Sequence, residues 1–305
     1  MKAILLHNLR AGQRNRGNEV VLAATRLVEA GWEVDVASPD PSDTDRVLRG
    51  AIEDGAEAVI VAGGDGSINL ALQTIARTPV ALGVIPTGTG NVWAREVGIP
   101  LDVRGATNTL LRGDVRIVDL GRANGRYFLA MAGVGFDATV TRVMKATSKR
   151  RLGMLAYVVA ATVEALRLRG SETVISVGGL RLRRRILMVA VCNTRLYGAV
   201  LRMAPDAFLD DGLLDVSVFY GKGLWAKVRH PVKALFGTHG SDPDVESFGT
   251  AGLRIESKDY LPVQLDGDYF GTTPVEIDVV PAALRVIIPP GPHPQFRGRV
   301  LSAAS

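Results

Sequence analysis

The sequence predicts two folded parts in one chain, an α/β part built on a parallel sheet followed by a β-sandwich. Three observations carry this reading. Up to about Val115 strand and helix patterns alternate; beyond it short β-branched segments dominate; and 305 residues are enough for two cores of ordinary size.

The elements follow in order. Lys2 to His7 is a short apolar strand, and the polar loop Asn8 to Arg14 comes next. Val20, Val21, Ala24, Leu27 and Val28 recur at helical spacing across Glu19 to Ala30, and Gly31 stops that helix. Trp32 to Ala37 alternates as a strand, Arg46 to Glu53 forms a second helix, and Ala58 to Ala62 a third strand. Ser67 to Ala76 continues as a helix, and Val80 to Ile85 is a fourth strand ending at Pro86-Thr-Gly-Thr-Gly90. Alternation of this kind implies a parallel sheet covered on both faces, with ligands beyond the carboxyl ends of its strands. The loops at 8–14, 63–67 and 86–91 all follow strands and should converge.

Downstream, strands are expected at Arg116–Leu120, Arg126–Ala132, Thr173–Val177, Arg185–Cys192, Leu214–Tyr220, Gly252–Ser257, Val263–Leu265, Val275–Val279 and Leu284–Ile288. Short strands at turn-punctuated intervals predict a sandwich. Helices at Leu152–Leu168 and Leu224–Phe236 interrupt it. The run Pro289-Pro-Gly-Pro-His-Pro294 cannot pair in a sheet and should carry the chain back over the surface. The expected domains are therefore residues 1–122, with the tail 290–305 returning to them, and residues 123–289.

Composition excludes several classes. The lone Cys192 forbids an intrachain disulfide and, inside Leu187-Met-Val-Ala-Val-Cys192, reads as a small core residue in a reducing compartment. The four histidines lack metal-ligand spacing, and no apolar run reaches the length of a signal peptide core or a membrane span. A cytoplasmic protein is expected, with any membrane contact peripheral, at the inner face. The net charge of +5 is concentrated at Lys145, Lys149, Arg150 and Arg151 and at Arg181 and Arg183 to Arg185. Such clusters suit phosphate-rich surfaces or are simply solvated. Lys149 to Tyr157, a basic start on an apolar body, either meets anionic headgroups or packs as an ordinary helix.

Chemistry concentrates in Val59-Ile-Val-Ala-Gly-Gly-Asp-Gly-Ser67. Gly63, Gly64 and Gly66 leave the backbone bare, so its N–H groups can close around an oxyanion. Asp65 in the same turn would repel phosphate alone, which makes sense if a metal ion or a protonated hydroxyl also arrives there. A tight strand-to-helix connection with a capping Asp explains the turn equally well.

Gly63-Gly-Asp-Gly-Ser-Ile-Asn69, Pro86-Thr-Gly-Thr-Gly-Asn91, Gly133-Val-Gly-Phe-Asp137, the run Ala204 to Asp215 and Leu265-Asp-Gly-Asp268 occur in that order. Together they resemble the diacylglycerol kinase catalytic family, which includes sphingosine kinases and bacterial lipid kinases, over nearly the whole chain. The resemblance implies a Rossmann-like nucleotide-binding domain of the NAD kinase and diacylglycerol kinase type, a lipid-binding β-sandwich, and an active site in the cleft between them. It implies phosphorylation of a lipid hydroxyl with ATP and Mg2+. Phosphoryl transfer needs donors around the phosphates, a divalent cation and a carboxylate for the attacking hydroxyl's proton. Gly63, Gly64, Asp65, Gly66, Ser67 and Asn69 would line the phosphates. Asn8 and Gly12 would lie across the nucleotide, Thr89 and Asn91 would border it, and Ser38 sits near a family threonine that contacts it or is a strand-end turn residue.

Asp65 and Asp137 are placed by the resemblance near catalytic metal and phosphate, although Asp137 could instead satisfy backbone N–H groups of its turn. In Asp210-Asp-Gly-Leu-Leu-Asp215 the acids flank a glycine at oxygen-ligand spacing. The resemblance implies a metal on the Asp211 side chain and the carbonyls of Phe208 and Leu213, with Asp215 closing the run; a plain Asp-Gly turn is the alternative. Asp268 stands where the family has its proposed glutamate base and is one methylene shorter, so Asp266 is a second candidate.

Leu70 stands where the family has an acid, Ser67 replaces Thr, and Tyr197-Gly-Ala-Val200 replaces a glycine run. These departures leave open a nucleotide-binding regulator that has lost catalysis; an NAD kinase shares the Gly-Gly-Asp-Gly turn. The expected partners are a lipid substrate and the membrane surface that holds it, not nucleic acid, with a homodimer open. Diacylglycerol, phosphatidylglycerol, a sphingoid base and a polyprenol all offer the required hydroxyl.

Overall fold

The computed structural model describes residues 1–7, 17–135, 170–197, 201–220 and 242–298. The chain divides into two compact units. One comprises Met1–Leu120, Phe208–Gly212 and Val280–Ser305, the other Gly121–Ala207 and Leu213–Val279.

In the first unit, β1 (Lys2–His7), β2 (Glu33–Ala37), β3 (Ala58–Gly63) and β4 (Ala81–Pro86) alternate with α1 (Gly17–Glu29), α2 (Thr44–Glu53) and α3 (Asp65–Ile75). The strands pair in parallel in the order β2-β1-β3-β4, with His7 abreast of Ala62 and Gly63 abreast of Pro86. Because successive crossovers run in opposite directions from β1, helices cover both faces. α1 packs with α5 (Val103–Arg112), and α2 packs with α3. β3 therefore reads as an unbroken apolar run: Val59, Ile60 and Val61 are fully buried, each contributing about 1.5–3 kcal/mol through burial. α5 lies close on β4, where a Cβ on Gly83 would meet Leu110 Cδ2 at 2.5 Å.

Two short helices follow β4. α4 spans Val92–Glu96, and α5 is started by Asp102, whose carboxylate accepts the N–H of Gly105 at 2.7 Å. Neither is among the helices expected from the sequence. Signals were present in Asp102, three residues before Gly105, and in the spacing of Val103, Ala106 and Leu110. Asp119 is almost fully buried, and its two oxygens accept the N–H groups of Gly212 at 2.6 Å and Ala282 at 2.7 Å. One carboxylate thus pins the 208–212 loop and the returning chain in this unit.

The second unit is the expected sandwich. β7 (Met131–Gly135), β8 (Ser171–Val177), β9 (Leu180–Cys192), β12 (Leu214–Tyr220), β14 (Gly252–Ser257), β15 (Pro262–Leu265) and the first part of β17 (Val275–Ile288) are its main strands. The first half of β9 pairs with β8, which continues to β14 and β17; its second half pairs with β7 and β12. Since one long strand serves both layers, their inner faces share a core that includes Ile175, Val189, Val216, Ile255 and Ile277. Cys192 is buried beside Met131, Met203 and Phe219, as its sequence context predicts.

Boundaries differ in instructive ways. Arg126–Ala132 is two strands, β6 (Arg126–Phe128) and β7, and β9 begins five residues before the expected start. β17 runs through Pro281 and Ala282 where two strands were expected. The helices expected at 152–168 and 224–236, and the basic cluster from Lys145 to Arg151, lie outside the described residues.

Candidate functional site

The order β2-β1-β3-β4 places the chain's change of direction between β1 and β3. Ligands of open α/β sheets bind at such a point, beyond the strand carboxyl ends. His7, Ala37, Gly63 and Pro86 end the four strands, so the loops after them share one edge. Ser38 is exposed directly after β2. Asn8 and Gly12 belong to the loop after β1 and lie outside the described residues, as does Asp137. His7 is held below its ordinary pKa of 6.5 by burial, which favours the neutral ring.

Gly64 is the N-cap of α3, in extended conformation, and Asp65 is the first helical residue. The N–H groups of Ser67 and Ile68 return to the Gly64 carbonyl at 2.9 and 3.2 Å. The Asp65 carboxylate reaches across to the next loop, where Oδ1 accepts the N–H of Trp93 at 3.3 Å. An acid at this helix start is also favoured by the helix dipole. Asn69 is buried one turn further along α3, and its carbonyl accepts from Gln73 Nε2 at 3.1 Å.

Two loops meet here backbone to backbone. A Cβ on Gly88 would lie 2.5 Å from the Gly64 Cα and 2.9 Å from Asn91 Oδ1, and one on Gly90 would lie 3.0 Å from Asp65 Oδ2. Gly63 leaves room for the Ser67 side chain, at 2.7 Å. Asn91 takes a left-handed conformation, which its amide tolerates, and donates Nδ2 to the Gly88 carbonyl at 2.9 Å. Gly66 is exposed, and a Cβ there would meet nothing within 4 Å. Thr87 Oγ1 and Asn91 Oδ1 are buried without a hydrogen-bond partner among the described residues. An orphaned buried acceptor costs about 1–3 kcal/mol, so both atoms favour a polar ligand at this edge. A nucleotide phosphate fits the bare Gly63–Ser67 and Gly88–Asn91 backbone. Thr89 is exposed on the same loop. Thr87 was not among the residues expected from sequence; its neighbours in Pro86-Thr-Gly-Thr-Gly-Asn91 carried the motif.

In the second unit Asp266 and Gly267 both have positive φ and form the two-residue turn between β15 and β16 (Asp268–Thr272), closed by the Leu265–Asp268 pair. The Asp266 carboxylate accepts three backbone N–H groups, those of Leu129 at 2.8 Å, Ala130 at 2.7 Å and Met131 at 3.1 Å. That arrangement locks the start of β7. Asp268, the first residue of β16, is half-buried.

Of the residues expected to hold a metal, Phe208 and Asp211 lie in the first unit, and the division falls just before Leu213. Asp215 is half-buried in β12, opposite Cys192 and Gly249. Magnesium demands near-octahedral oxygen ligands at about 2.0–2.1 Å. Among the described residues no three His, Cys, Asp or Glu side chains gather to hold an ion. Asp211, moreover, already faces the Arg297 guanidinium at 3.5 Å. An open hollow of about 750 Å3 beside β14 and β17 is lined by Arg122, Arg254, Glu276 and Asp278 among others, and by none of the expected site residues.

Comparison with known proteins agrees with this arrangement. Residues 2–123 match the diacylglycerol kinase catalytic domain, and residues 130–288 match the YegS C-terminal NAD kinase beta sandwich-like domain. A diacylglycerol kinase of Mycobacterium tuberculosis is 33% identical, with 88% of each chain covered. A probable lipid kinase YegS-like protein of Pseudomonas aeruginosa is 31% identical, with 94% of each covered. The crystal structure of a diacylglycerol kinase from Bacillus anthracis shares the fold at a TM-score of 0.74 and 21% identity, covering 95% of this chain and 97% of that one. With a paired-loop α/β unit, a sandwich whose β9 serves both layers, and matches along almost its full length, the chain belongs to the diacylglycerol kinase family, in its YegS-type lipid kinase branch.

Proposed function

We propose that the protein transfers the γ-phosphoryl group of ATP to the hydroxyl of diacylglycerol or a related lipid. The observation that carries this reading is the approach of Gly64 to Gly88, with Asp65 beside it and open space in front of Gly66. Side chains are absent where phosphate oxygens need backbone donors, and a carboxylate stands where phosphate alone would be repelled. Mg2+ bound to the nucleotide supplies charge neutralisation for the transferring group. In this reading Gly63 to Ser67 and Thr89 to Asn91 hold the phosphates, with Asn8, Gly12 and Ser38 around the rest of the nucleotide. Asp65 orients the charged groups, and Asp268 accepts the proton of the lipid hydroxyl. Asp266 is the weaker candidate for base, because three backbone N–H groups already engage its carboxylate. A lipid substrate also calls for peripheral contact with a bilayer; among the described residues no helix is long and apolar enough to cross one.

Incubating the protein with radiolabelled ATP, Mg2+ and defined lipids tests the proposal. Label in the lipid fraction is the expected result. Nucleotide binding without labelled lipid would replace the kinase by a regulator, and label in NAD would move the activity to the other branch of the superfamily.

A further inference from the structure

Four arginines crowd onto the β8–β9 hairpin of the second unit. Val177 and Leu180 form its closing pair, and Gly178 and Gly179, at φ of 54° and 81°, make the two-residue turn. Leu180 stands at the tip, 67% exposed. Arg181, Arg183, Arg184 and Arg185 follow it, all exposed, and Glu172 is the acid that residues 171–185 set against them. Val177 and Leu182 pack against the sandwich core and hold the hairpin in place. Alternation along the strand then turns Arg181, Arg183 and Arg185 together to the outer face, opposite Ser176, Val174 and Glu172. The hairpin itself balances little of this charge. Arg183 meets Glu172 at 3.3 Å, whereas Arg185 Nε and Arg184 Nη1 donate to the uncharged carbonyls of Gly170 at 2.6 Å and Arg183 at 3.1 Å. Further across the same sheet the signs even out: Arg254 pairs with Glu256 at 3.1 Å, and Arg122 with Asp278 at 2.7 Å. Among the described residues of this sheet, the positive excess therefore sits on the hairpin.

We propose that the β8–β9 hairpin docks the protein on an anionic lipid bilayer, with its arginines on the headgroup phosphates and Leu180 at the acyl boundary. The proposal rests on the lipid kinase reading for the presence of a bilayer, and it names the surface that this reading leaves open. Guanidinium groups match phosphate oxygens in charge and in fork geometry. Clusters of four or more basic residues are drawn to anionic leaflets. A leucine held out beside them on a turn without side chains gains apolar burial at the headgroup–acyl boundary that water does not give it. The outward arginines and the exposed tip thus ask for two things at once, negative charge and an apolar layer beneath it, and an anionic bilayer has both. A single-stranded nucleic acid offers the same phosphates, but its binding draws on aromatic stacking, and residues 171–185 include no aromatic side chain.

Co-sedimentation of the full chain, without ATP, with phosphatidylcholine vesicles that contain or lack phosphatidylglycerol is the test. The wild type should bind the anionic vesicles far better than the neutral ones, and should release them as salt rises from about 0.1 M to about 1 M. Arg181→Gln combined with Arg183→Gln should weaken binding roughly 25-fold, about fivefold for each charge removed. Leu180→Ser should weaken it about tenfold or more. These side chains are exposed, so melting curves should show both variants folded, and both should phosphorylate a short-chain diacylglycerol in solution at the wild-type rate. The proposal is overturned if the wild type ignores anionic vesicles, or if either variant binds them as the wild type does. It is also overturned if an oligonucleotide binds more tightly than the vesicles and Leu180→Ser leaves that binding unchanged, which would assign the hairpin to nucleic acid. Absence of any phosphorylated lipid, by contrast, sinks the kinase reading alone, because sedimentation needs no catalysis.

Discussion

Gly64 and Gly88 lie so close that a single methyl group does not fit between them: a Cβ on Gly88 would come within 2.5 Å of the Gly64 Cα. The atom it would strike is backbone, and the Gly64 N lies 3.2 Å from the same Cβ, so relief needs the backbone itself to move. Gly88→Ala should therefore separate the two loops. The expected cost is about 1–3 kcal/mol of stability, as for other overpacked sites, together with loss of nucleotide binding. Urea unfolding and titration with a fluorescent ATP analogue measure both. An unaltered urea midpoint would show that the loops do not depend on this approach.

Gly66 gives the complementary case. Nothing in the protein lies within 4 Å of a Cβ at this position, and alanine is the better helix former by up to about 1 kcal/mol. Gly66→Ala should leave stability unchanged or raised. If phosphate lies over the turn, the same methyl group weakens nucleotide binding by tenfold or more, roughly 1.4 kcal/mol. Wild-type affinity in this variant would take the phosphate away from Gly66.

The contrast between these glycines marks what sequence can and cannot disclose. Glycine-rich turns after apolar runs located the α/β edge. Sequence alone did not separate a glycine that the protein's own packing demands, Gly88, from one it leaves free, Gly66. The Asp-Gly at 266–267 was legible as a motif, but its role as a hairpin turn with three backbone N–H groups on one carboxylate depends on where β7 begins. Pro281 lacks an N–H, yet β17 continues past it while Asp119 accepts the N–H of Ala282. Arg181 and Arg183 to Arg185 interrupt the apolar pattern in the first half of β9. Pairing with β8, including the Arg183–Glu172 contact at 3.3 Å, carries the strand through them. Arg297 was invisible as a partner of Asp211, since nothing local in either segment points to the other.

Asp65 separates a structural from a chemical role. Its Oδ1 holds the N–H of Trp93, a bond that the Oδ1 of asparagine can also accept, while the charge is lost. Asp65→Asn should thus keep the fold, with a melting temperature about 1–4 °C lower for the charge lost at the helix start, and lose about 10²–10³-fold in turnover, the usual consequence of removing one preorganised charged group. Steady-state phosphorylation rates beside a melting curve check this. Turnover at the wild-type rate would exclude Asp65 from the mechanism.

Asp266 and Asp268 should divide in the opposite sense. Asp266→Ala strands three backbone N–H groups, at about 1–3 kcal/mol for each one left buried without a partner, so this variant should lose several kcal/mol of stability. Asp268→Asn, which keeps the size of the side chain and loses its charge, should cost less stability than Asp266→Ala and lose about 10²–10⁴-fold in kcat, the contribution of a general base. Chemical denaturation and initial rates distinguish the two. Full activity in Asp268→Asn would transfer the proton-accepting role elsewhere.

The pH dependence of stability follows from His7, which ends β1 abreast of Ala62. Burial lowers its pKa below the ordinary 6.5, so at mildly acidic pH the unfolded chain takes up a proton that the folded chain refuses. Stability must then rise with pH wherever the unfolded state binds more protons. The contribution is complete above pH 6.5, declines as pH falls through the lowered value, and changes no further once both states are protonated. His7→Gln removes the titration while keeping a polar side chain of similar reach. Urea midpoints measured from about pH 7.5 down to about pH 5.5, the span over which a histidine changes charge, should therefore fall more steeply for the wild type than for the variant. Parallel curves would mean that another group governs acid sensitivity and that the His7 ring is as well solvated in the folded protein as in the unfolded chain.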